Sequence, residues 1–432
     1  MRRALLIMLA YSLFFLSAVL ALQKAAAPES SFVPPVTDAV PREVRALWVV
    51  RTSLTSPESI IEMVRRAREA EFTDLVVQVR GRGDAYYNSR WEPRAAELAG
   101  TSKDFDPLAL VISQAHAAGI KVHAWINTFL VANARELPGS REHVIYKHPD
   151  WLAVPKAIGF ELYKGNPRSS TYFNRLISFA AGGGEELEGL YLSPAHPAAR
   201  EEIYGIWMDV LERYDVDGMH FDYIRYPNPQ FDYSRTSLER FRGELEKTLD
   251  IRERARLARL AEDDPLVYAA AYPDRYAQFQ RDQVTDLVER VYTGVKARKP
   301  RVIVSAAVWA NDEDAYSARF QDWKLWLRQG ILDVVCPMAY SKNTETFTSQ
   351  IENAVTSAAE RDGAQVWAGI SAWRQPVEGS LEKISAAREA GAGGFILFSY
   401  DSTVKVSENN PEGDYLLRVR DALKSKPVMA AD

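Results

Sequence analysis

From Val44 onward the chain alternates between two hydrophobic patterns. Short runs of branched apolar residues give way to stretches in which apolar positions recur about every 3.6 residues, the marks of buried strands and amphipathic helices. The runs predict strands over residues 44–51, 74–80, 120–127, 216–222, 302–308, 332–337, 366–371 and 393–399. The intervening periodicity predicts helices over 57–70, 106–118, 196–214, 275–299, 321–329, 345–361, 381–390 and 415–423. Ser56 before Pro57 reads as a helix cap followed by a first-turn proline, and Gly119 reads as a helix stop. Eight strands, each followed by a helix, predict an α/β fold of the closed (β/α)8 TIM-barrel type rather than an open doubly wound sheet. Arg51-Thr52-Ser53-Leu54 follows the first strand, where a dinucleotide-binding fold carries its glycine-rich loop. Gly182-Gly183-Gly184 reads as a flexible turn.

The extra length falls after the third and fourth strands, as insertions over 128–195 and 228–274. Both leave the C-terminal ends of the strands, the face on which barrel enzymes build active sites, so they are expected to wall a cleft. The charged helical piece from Ser237 to Ala261 needs no function beyond a solvated face.

Strands of a parallel barrel are covered on both sides and should be almost wholly apolar, yet three here are not. Val76, Gln78 and Arg80 alternate with apolar neighbours in strand 2; His123, Trp125 and Asn127 do so in strand 3; Gly218, His220 and Asp222 do so in strand 4. Because successive side chains point to opposite faces, these sets are expected to meet in the upper lumen. A buried charge there needs a partner, so Arg80 and Asp222 call for each other, for another residue or for a ligand. Asp222 is the leading candidate acid. With Arg80 and His220 beside it, it is expected to be ionised, as a nucleophile or base. Sugar-bond hydrolysis needs a second carboxyl, one of the pair giving a proton. The candidates are Asp84 after strand 2, Asp312, Glu313 and Asp314 after strand 5, and Asp401 after strand 8, with the strand 5 group and Asp401 leading. Trp125, Tyr223, Tyr226, Trp309, Tyr340, Trp373 and Tyr400 cluster at strand ends, where flat rings suit sugar faces, and Arg225 lies among them. His123, His220 and Asp222 offer a less favoured metal triad, and no cofactor is expected. Cys336 reads as a small buried residue, and no serine-hydrolase elbow is evident.

Composition narrows this further. The 432 residues are 47% hydrophobic and 26% charged, an ordinary globular balance. With one cysteine, an intrachain disulfide or a cysteine-based metal site is excluded. Met1-Arg2-Arg3 and the apolar run from Ala4 to Leu22 read as a secretory signal cleaved after Ala21, an uncleaved anchor being the competing reading. The expected organisation is a signal over 1–21, a linker over 22–43, a barrel over 44–424 and a tail over 425–432. Export to the periplasm, the cell envelope or the outside is expected in either reading. The net charge of −5 falls to −7 when Arg2 and Arg3 leave with the signal. That balance disfavours nucleic acid and attraction to anionic wall polymers, and leaves sugar recognition as the way such a protein would meet a wall.

Val44-Arg45-Ala46-Leu47-Trp48-Val49, Gln78-Val79-Arg80, Gly83-Asp84-Ala85, Phe105-Asp106-Pro107-Leu108, His123-Ala124-Trp125-Ile126-Asn127 and Val216 to Tyr223 together resemble the glycosyl hydrolase-like 10 family. The likeness continues through Val304 to Trp309, Cys336-Pro337-Met338-Ala339-Tyr340, Ala368 to Ser371 and Leu397 to Asp401. The resemblance implies an exported bacterial barrel regarded as a glycoside hydrolase, with some members acting on cell-wall glycan. It places Arg80, Asp84, His123, Asn127, His220 and Asp222 on motif positions. Two departures stand out. Tyr223 occupies the place of a second acid found in many relatives, and Thr128-Phe129-Leu130 replaces Pro-Tyr-Arg. The expected function is hydrolysis of an oligosaccharide or peptidoglycan glycan. A glycan-binding barrel without catalysis is the alternative, and a metal-dependent hydrolase or deacetylase is the third reading.

Overall fold

The structure, a computed structural model, describes residues 43–183 and 187–425. The expected signal over 1–21, the linker through residue 42, Gly184 of the glycine turn and tail residues 426–432 lie outside the described residues.

Eight parallel strands close into a barrel: β1 (Val44–Val49), β2 (Asp74–Arg80), β3 (Lys121–Asn127), β4 (Gly218–Asp222), β5 (Ile303–Val308), β6 (Val334–Pro337), β7 (Gln365–Ser371) and β8 (Gly394–Phe398). Each hydrogen-bonds to its sequence neighbour, and β8 returns to β1. The helices covering them are α1 (Pro57–Glu69), α2 (Pro107–Ala117), α3 (Pro197–Arg213), α4 (Pro273–Arg298), α5 (Trp323–Gln329), α6 (Thr344–Ala359), α7 (Val377–Glu389) and α8 (Tyr415–Ser425). Local chemistry sets the helix starts. Ser56 and Ser59 exchange capping bonds of 3.2 Å ahead of α1, with Pro57 in its first turn. Asp106 accepts from the Ala109 N–H at 3.1 Å ahead of α2, and each such cap contributes about 1 kcal/mol. Gly119 ends the α2 segment with φ +74°, a conformation that side-chained residues resist.

Two apolar layers result from the alternation along the strands. The larger packs strands against helices; the smaller fills the lumen with Ala46, Trp48, Val76, Trp125, Ala307, Cys336, Trp367 and Ile396. At the lower end of the lumen His123 bonds through Nε2 to Asp74 at 2.8 Å and meets Trp367 edge-on. A Cβ on Gly218 would stand 1.9 Å from His123 Nδ1, so only glycine leaves room for that imidazole. The expectation that His123 belongs to the upper, functional end is therefore corrected: it seals the floor.

Arg80 is corrected as well. The β2–β3 register slips between Gln78 and Arg80, so Arg80 comes level with Ile126 rather than with the lumen-facing Asn127. A bulge of this kind reverses the facing of every later residue. Arg80, 1% exposed, forks onto Glu92 with bonds of 2.7–2.9 Å and also donates to the carbonyls of Asn127 and Thr128. The expected Arg80–Asp222 partnership is thus replaced by a buried Arg80–Glu92 pair behind the sheet.

The first insertion carries a two-stranded antiparallel ribbon, Leu130–Ala132 with Leu190–Tyr191, and the helices Val144–Lys147, Lys156–Tyr163 and Ser170–Gly182. The second carries the helices Arg235–Glu246, Ile251–Asp263 and Val267–Ala271. The single charged helix expected over 237–261 is broken at Asp250, whose carboxylate caps the next helix through the N–H groups of Arg252 and Glu253. Phe241, Leu257, Tyr268, Tyr276 and Phe279 give this lobe its own apolar cluster on α4. Among the described residues no helix is long and apolar enough to cross a membrane.

Candidate active site

A cleft of about 700 Å³ opens at the C-terminal ends of the strands. Its floor is aromatic. Trp48 meets Tyr340 and Phe398 edge-on at centroid distances of 6.5 and 6.0 Å, and Trp125 meets Phe398 at 6.4 Å. Quadrupole complementarity favours these tilted contacts and holds the rings at fixed angles. His220 lies just below. Its Nε2 is 3.1 Å from Trp48 Nε1, and its Nδ1 is 2.8 Å from Ser305 Oγ. Indole nitrogen only donates, so Nε2 accepts, and the imidazole proton sits on Nδ1 and goes to Ser305. Burial, reinforced by His123, lowers the His220 pKa to about 3, so the ring is neutral. His220 positions Trp48 and supplies no positive charge to Asp222.

Asp222 ends β4 level with Asn127. Burial at the cleft floor raises its pKa to about 6, although the Tyr223 N–H, Arg225 and Trp125 all favour the ionised form and only Glu188 adds to the rise. The Tyr223 N–H donates to Asp222 Oδ1 at 2.7 Å, and the Asp222 carbonyl accepts from Thr128 N at the same distance. The sequence-based expectation of an Asp222 ionised by Arg80 and His220 is corrected on both counts, since one cation faces elsewhere and the other ring is neutral. Asp222 instead keeps a proton to near-neutral pH, the property of a donor. Tyr223 follows it with φ +49°, a conformation costing a tyrosine about 1–3 kcal/mol, and it too lines the cleft. Arg225 stacks over Tyr223 and Trp309 at 4.8 and 5.6 Å and pairs with Glu188 at 2.8 Å.

The other acids are dispersed. Asp401 accepts from Val50 N, Thr52 Oγ1 and Ser53 Oγ at 2.9, 3.0 and 2.6 Å, fastening the turn after β1 outside the cleft. Asp312 pairs with Lys324 at 2.5 Å, and with Glu313 it lines a separate shallow depression. Asp84 is half-buried beside Gly81 and Arg51 and accepts from the Arg82 N–H at 2.7 Å. Asp314 does line the cleft; it is exposed, and its carboxylate makes no hydrogen bond or ion pair among the described residues. Glu188 also lines it. Burial pushes its pKa up, but Arg225 and Tyr191 more than offset this and hold it below the usual range.

Of the aromatic candidates, Trp125, Tyr223, Trp309 and Tyr340 line the cleft, as do Asn127 and Arg225. Tyr226 is fully buried against Phe320, and Tyr400 is buried in the turn after β8. Trp373 is exposed beyond the rim and stacks under Arg374, which does face the cleft. Gln78 lines the cleft, as its place in the lumen-facing set of strand 2 predicts, and Trp48, Phe398, Arg51, Arg82 and Glu188 line it too without having been among the sequence candidates. Trp48 and Phe398 share the lumen-facing phase of their strands, but both faces of β1 and β8 are apolar there, so alternation gives no contrast. The postulated metal triad does not assemble: among the described residues no three His, Cys, Asp or Glu side chains gather, and the two histidines are tied to Asp74, Trp48 and Ser305.

A closed (β/α)8 barrel with an aromatic cleft and a proton-holding carboxyl at its C-terminal face has the architecture of the glycoside hydrolase class. The chain belongs to the family described as Glycosyl hydrolase-like 10, which matches residues 43–372. It is 25% identical over 334 residues to the glycosyl hydrolase YngK of Bacillus subtilis, covering 69% of this chain and 54% of that one, so it spans about half the length of that relative. It is 23% identical over 373 residues to the glycosyl hydrolase DigH of Escherichia coli K12, covering 73% of this chain and 71% of the relative. In fold it is similar to the glycoside hydrolase domain of PgaB (BpsB) from Bordetella bronchiseptica, with a TM-score of 0.58 and 17% identity over 88% of this chain and 99% of that domain. It is likewise similar to the catalytic domain of a Paenibacillus polymyxa β-amylase, with a TM-score of 0.55 and 12% identity over 90% of this chain and 100% of that one.

Proposed function

We propose that the protein is an exported glycoside hydrolase that cleaves an oligosaccharide or the glycan of the cell wall, peptidoglycan being the leading substrate. The observation that carries this reading is Asp222, a carboxyl with a pKa near 6 on the aromatic floor of the cleft. Asp222 gives its proton to the glycosidic oxygen as the bond from the anomeric carbon breaks. An ionised carboxylate, for which the unpartnered Asp314 is best suited, attacks that carbon or takes a proton from the incoming water. Trp48, Trp125 and Tyr340 line the cleft beside Asp222, and Asn127 fixes that wall by accepting from the Trp125 indole N–H and donating to the Gly81 carbonyl. Membership of the family and relatives named as glycosyl hydrolases support the reading.

The direct test is a wall-glycan digest assayed for new reducing ends. Wild type is expected to generate them and Asp222→Asn to lose at least about a hundredfold in rate while remaining folded. A variant as fast as wild type would remove Asp222 from the chemistry. Tyr223 in the place of a second acid, with Glu188 committed to Arg225, favours one other reading, a barrel that binds glycan without cutting it. Saturable binding with no product would establish that reading instead. Export by a leader cleaved after Ala21 predicts a secreted chain beginning at Leu22; intact mass would expose an uncleaved anchor.

A further inference from the structure

The loop after β2 is built around one side chain. The Arg82 N–H donates to Asp84 Oδ1 at 2.7 Å, and the Arg82 carbonyl accepts from His143 Nε2, also at 2.7 Å. His143 is 1% exposed, and burial lowers its pKa, so it is a neutral ring whose one proton is spent on this bond. Gly83 makes the clamp feasible: it has φ +72°, and a Cβ there would stand 2.7 Å from His143 Nε2. Neighbouring Gly81 gives its carbonyl to Asn127 Nδ2 at 2.8 Å. Both backbone groups of Arg82 are thus anchored, while its guanidinium lines the cleft with no hydrogen bond or ion pair among the described residues. Arg51 packs against the same loop and lines the same cleft. A Cβ on Gly81 would lie 2.5 Å from Arg51 Cδ, and the Arg51 guanidinium has Gln78 Oε1, a neutral acceptor, at 3.1 Å. The Asp84 carboxylate lies close enough to Arg51 to offset part of its charge, so the uncompensated cation of this corner is Arg82, held in place by a fixed loop. The cleft as a whole is lined by Arg51, Arg82, Arg225 and Arg374 against Asp222, Glu188 and Asp314, in a chain whose net charge is −5.

From this arrangement we infer that the Arg51–Arg82 corner is a subsite for a carboxylate borne by the glycan, so that the substrate is an acidic rather than a neutral saccharide. The planar fork of a guanidinium matches the two oxygens of a carboxylate, and the second cation adds to the local attraction. Asp84 and His143 are positioning residues for Arg82. The inference rests on the proposed glycoside hydrolase reading but concerns binding, so the two can fail separately.

The test is calorimetric binding of matched pairs, chito- and cello-oligosaccharides against their O-carboxymethyl derivatives, with O-sulfated derivatives as a third arm. Wild type is expected to prefer the carboxymethyl partner by at least about tenfold at low salt, with the preference shrinking as salt rises. Arg82→Gln is expected to abolish most of that preference, and Arg82→Lys to retain part of it, with folding of both followed by circular dichroism. Equal affinity for neutral and acidic partners across the panel, a preference unchanged in both variants, or a stronger preference for the sulfated arm would overturn the inference. Reducing-end assays on the same pairs separate the readings. Hydrolysis without acidic preference removes the subsite and keeps the enzyme, whereas acidic preference without hydrolysis keeps the subsite and removes the enzyme.

Discussion

Asp222 releases its proton near pH 6 in the folded chain, against an ordinary value of 3.8. Between those values the folded state holds a proton that the unfolded state has given up, so stability falls as pH rises through this window. Above it the loss reaches at most about 3 kcal/mol. Asp222→Asn is therefore expected to be the more stable protein at about pH 7.5, with the difference closing towards pH 4, as urea unfolding at the two pH values would read. A difference independent of pH would mean that burial of the carboxyl is not its source. As proton donor, Asp222 should also set the alkaline limb of kcat/KM near pH 6; a limb falling towards acid there would make it the base. His220 acts at the same scale through another residue. His220→Phe leaves the Trp48 N–H without its acceptor and is expected to raise KM more than it lowers kcat, whereas a wholly structural role would lower the amount of folded enzyme and leave both constants alone.

β2 shows how one inserted residue redirects chemistry. Up to Gln78 the strand alternates as its sequence suggests, and beyond the bulge Arg80 turns out towards Glu92. Arg80→Met strands a buried carboxylate and is expected to cost about 3–5 kcal/mol in urea unfolding. Arg80→Met combined with Glu92→Leu should recover most of that loss, and a double variant no better than the single would show that the pair is not the source. The eight barrel strands were legible to within two residues, because runs of Val, Ile and Leu bounded by Gly, Pro and Asp leave little choice of limits, whereas the short ribbon of the first insertion was not. Asp222, Trp125 and Asn127 were legible because a polar residue in an otherwise apolar strand phase has to face something. Arg80 misled because a bulge alters register without altering composition. Asp401 misled because position at a strand end does not distinguish a loop cap from a cleft acid. Glu188 and Arg82 lie on irregular backbone, where no period says which way a side chain points.

At the scale of the whole molecule, the acidic net charge and the arginine-lined cleft coexist because charge is distributed by site. The global balance bears on solubility and the local one on recognition. The core is similarly divided, with the lobe over 235–271 sharing only Tyr276 and Phe279 of its main apolar cluster with barrel helix α4. Phe241→Ala is expected to speed hydrogen exchange in that lobe while leaving β1–β8 protected; loosening spread evenly over the barrel would show that the two units unfold together. The aromatic floor has one more consequence. Trp48, Trp125 and Trp309 are three of the ten tryptophans in the sequence, and they stand where a sugar would lie. Because the Trp48 indole N–H is already held by a neutral imidazole, a ligand entering the cleft changes the polarity around the ring without rearranging that bond. The molecule thus carries its own optical gauge: intrinsic fluorescence should shift on ligand binding, and occupancy of the cleft can be followed without a label.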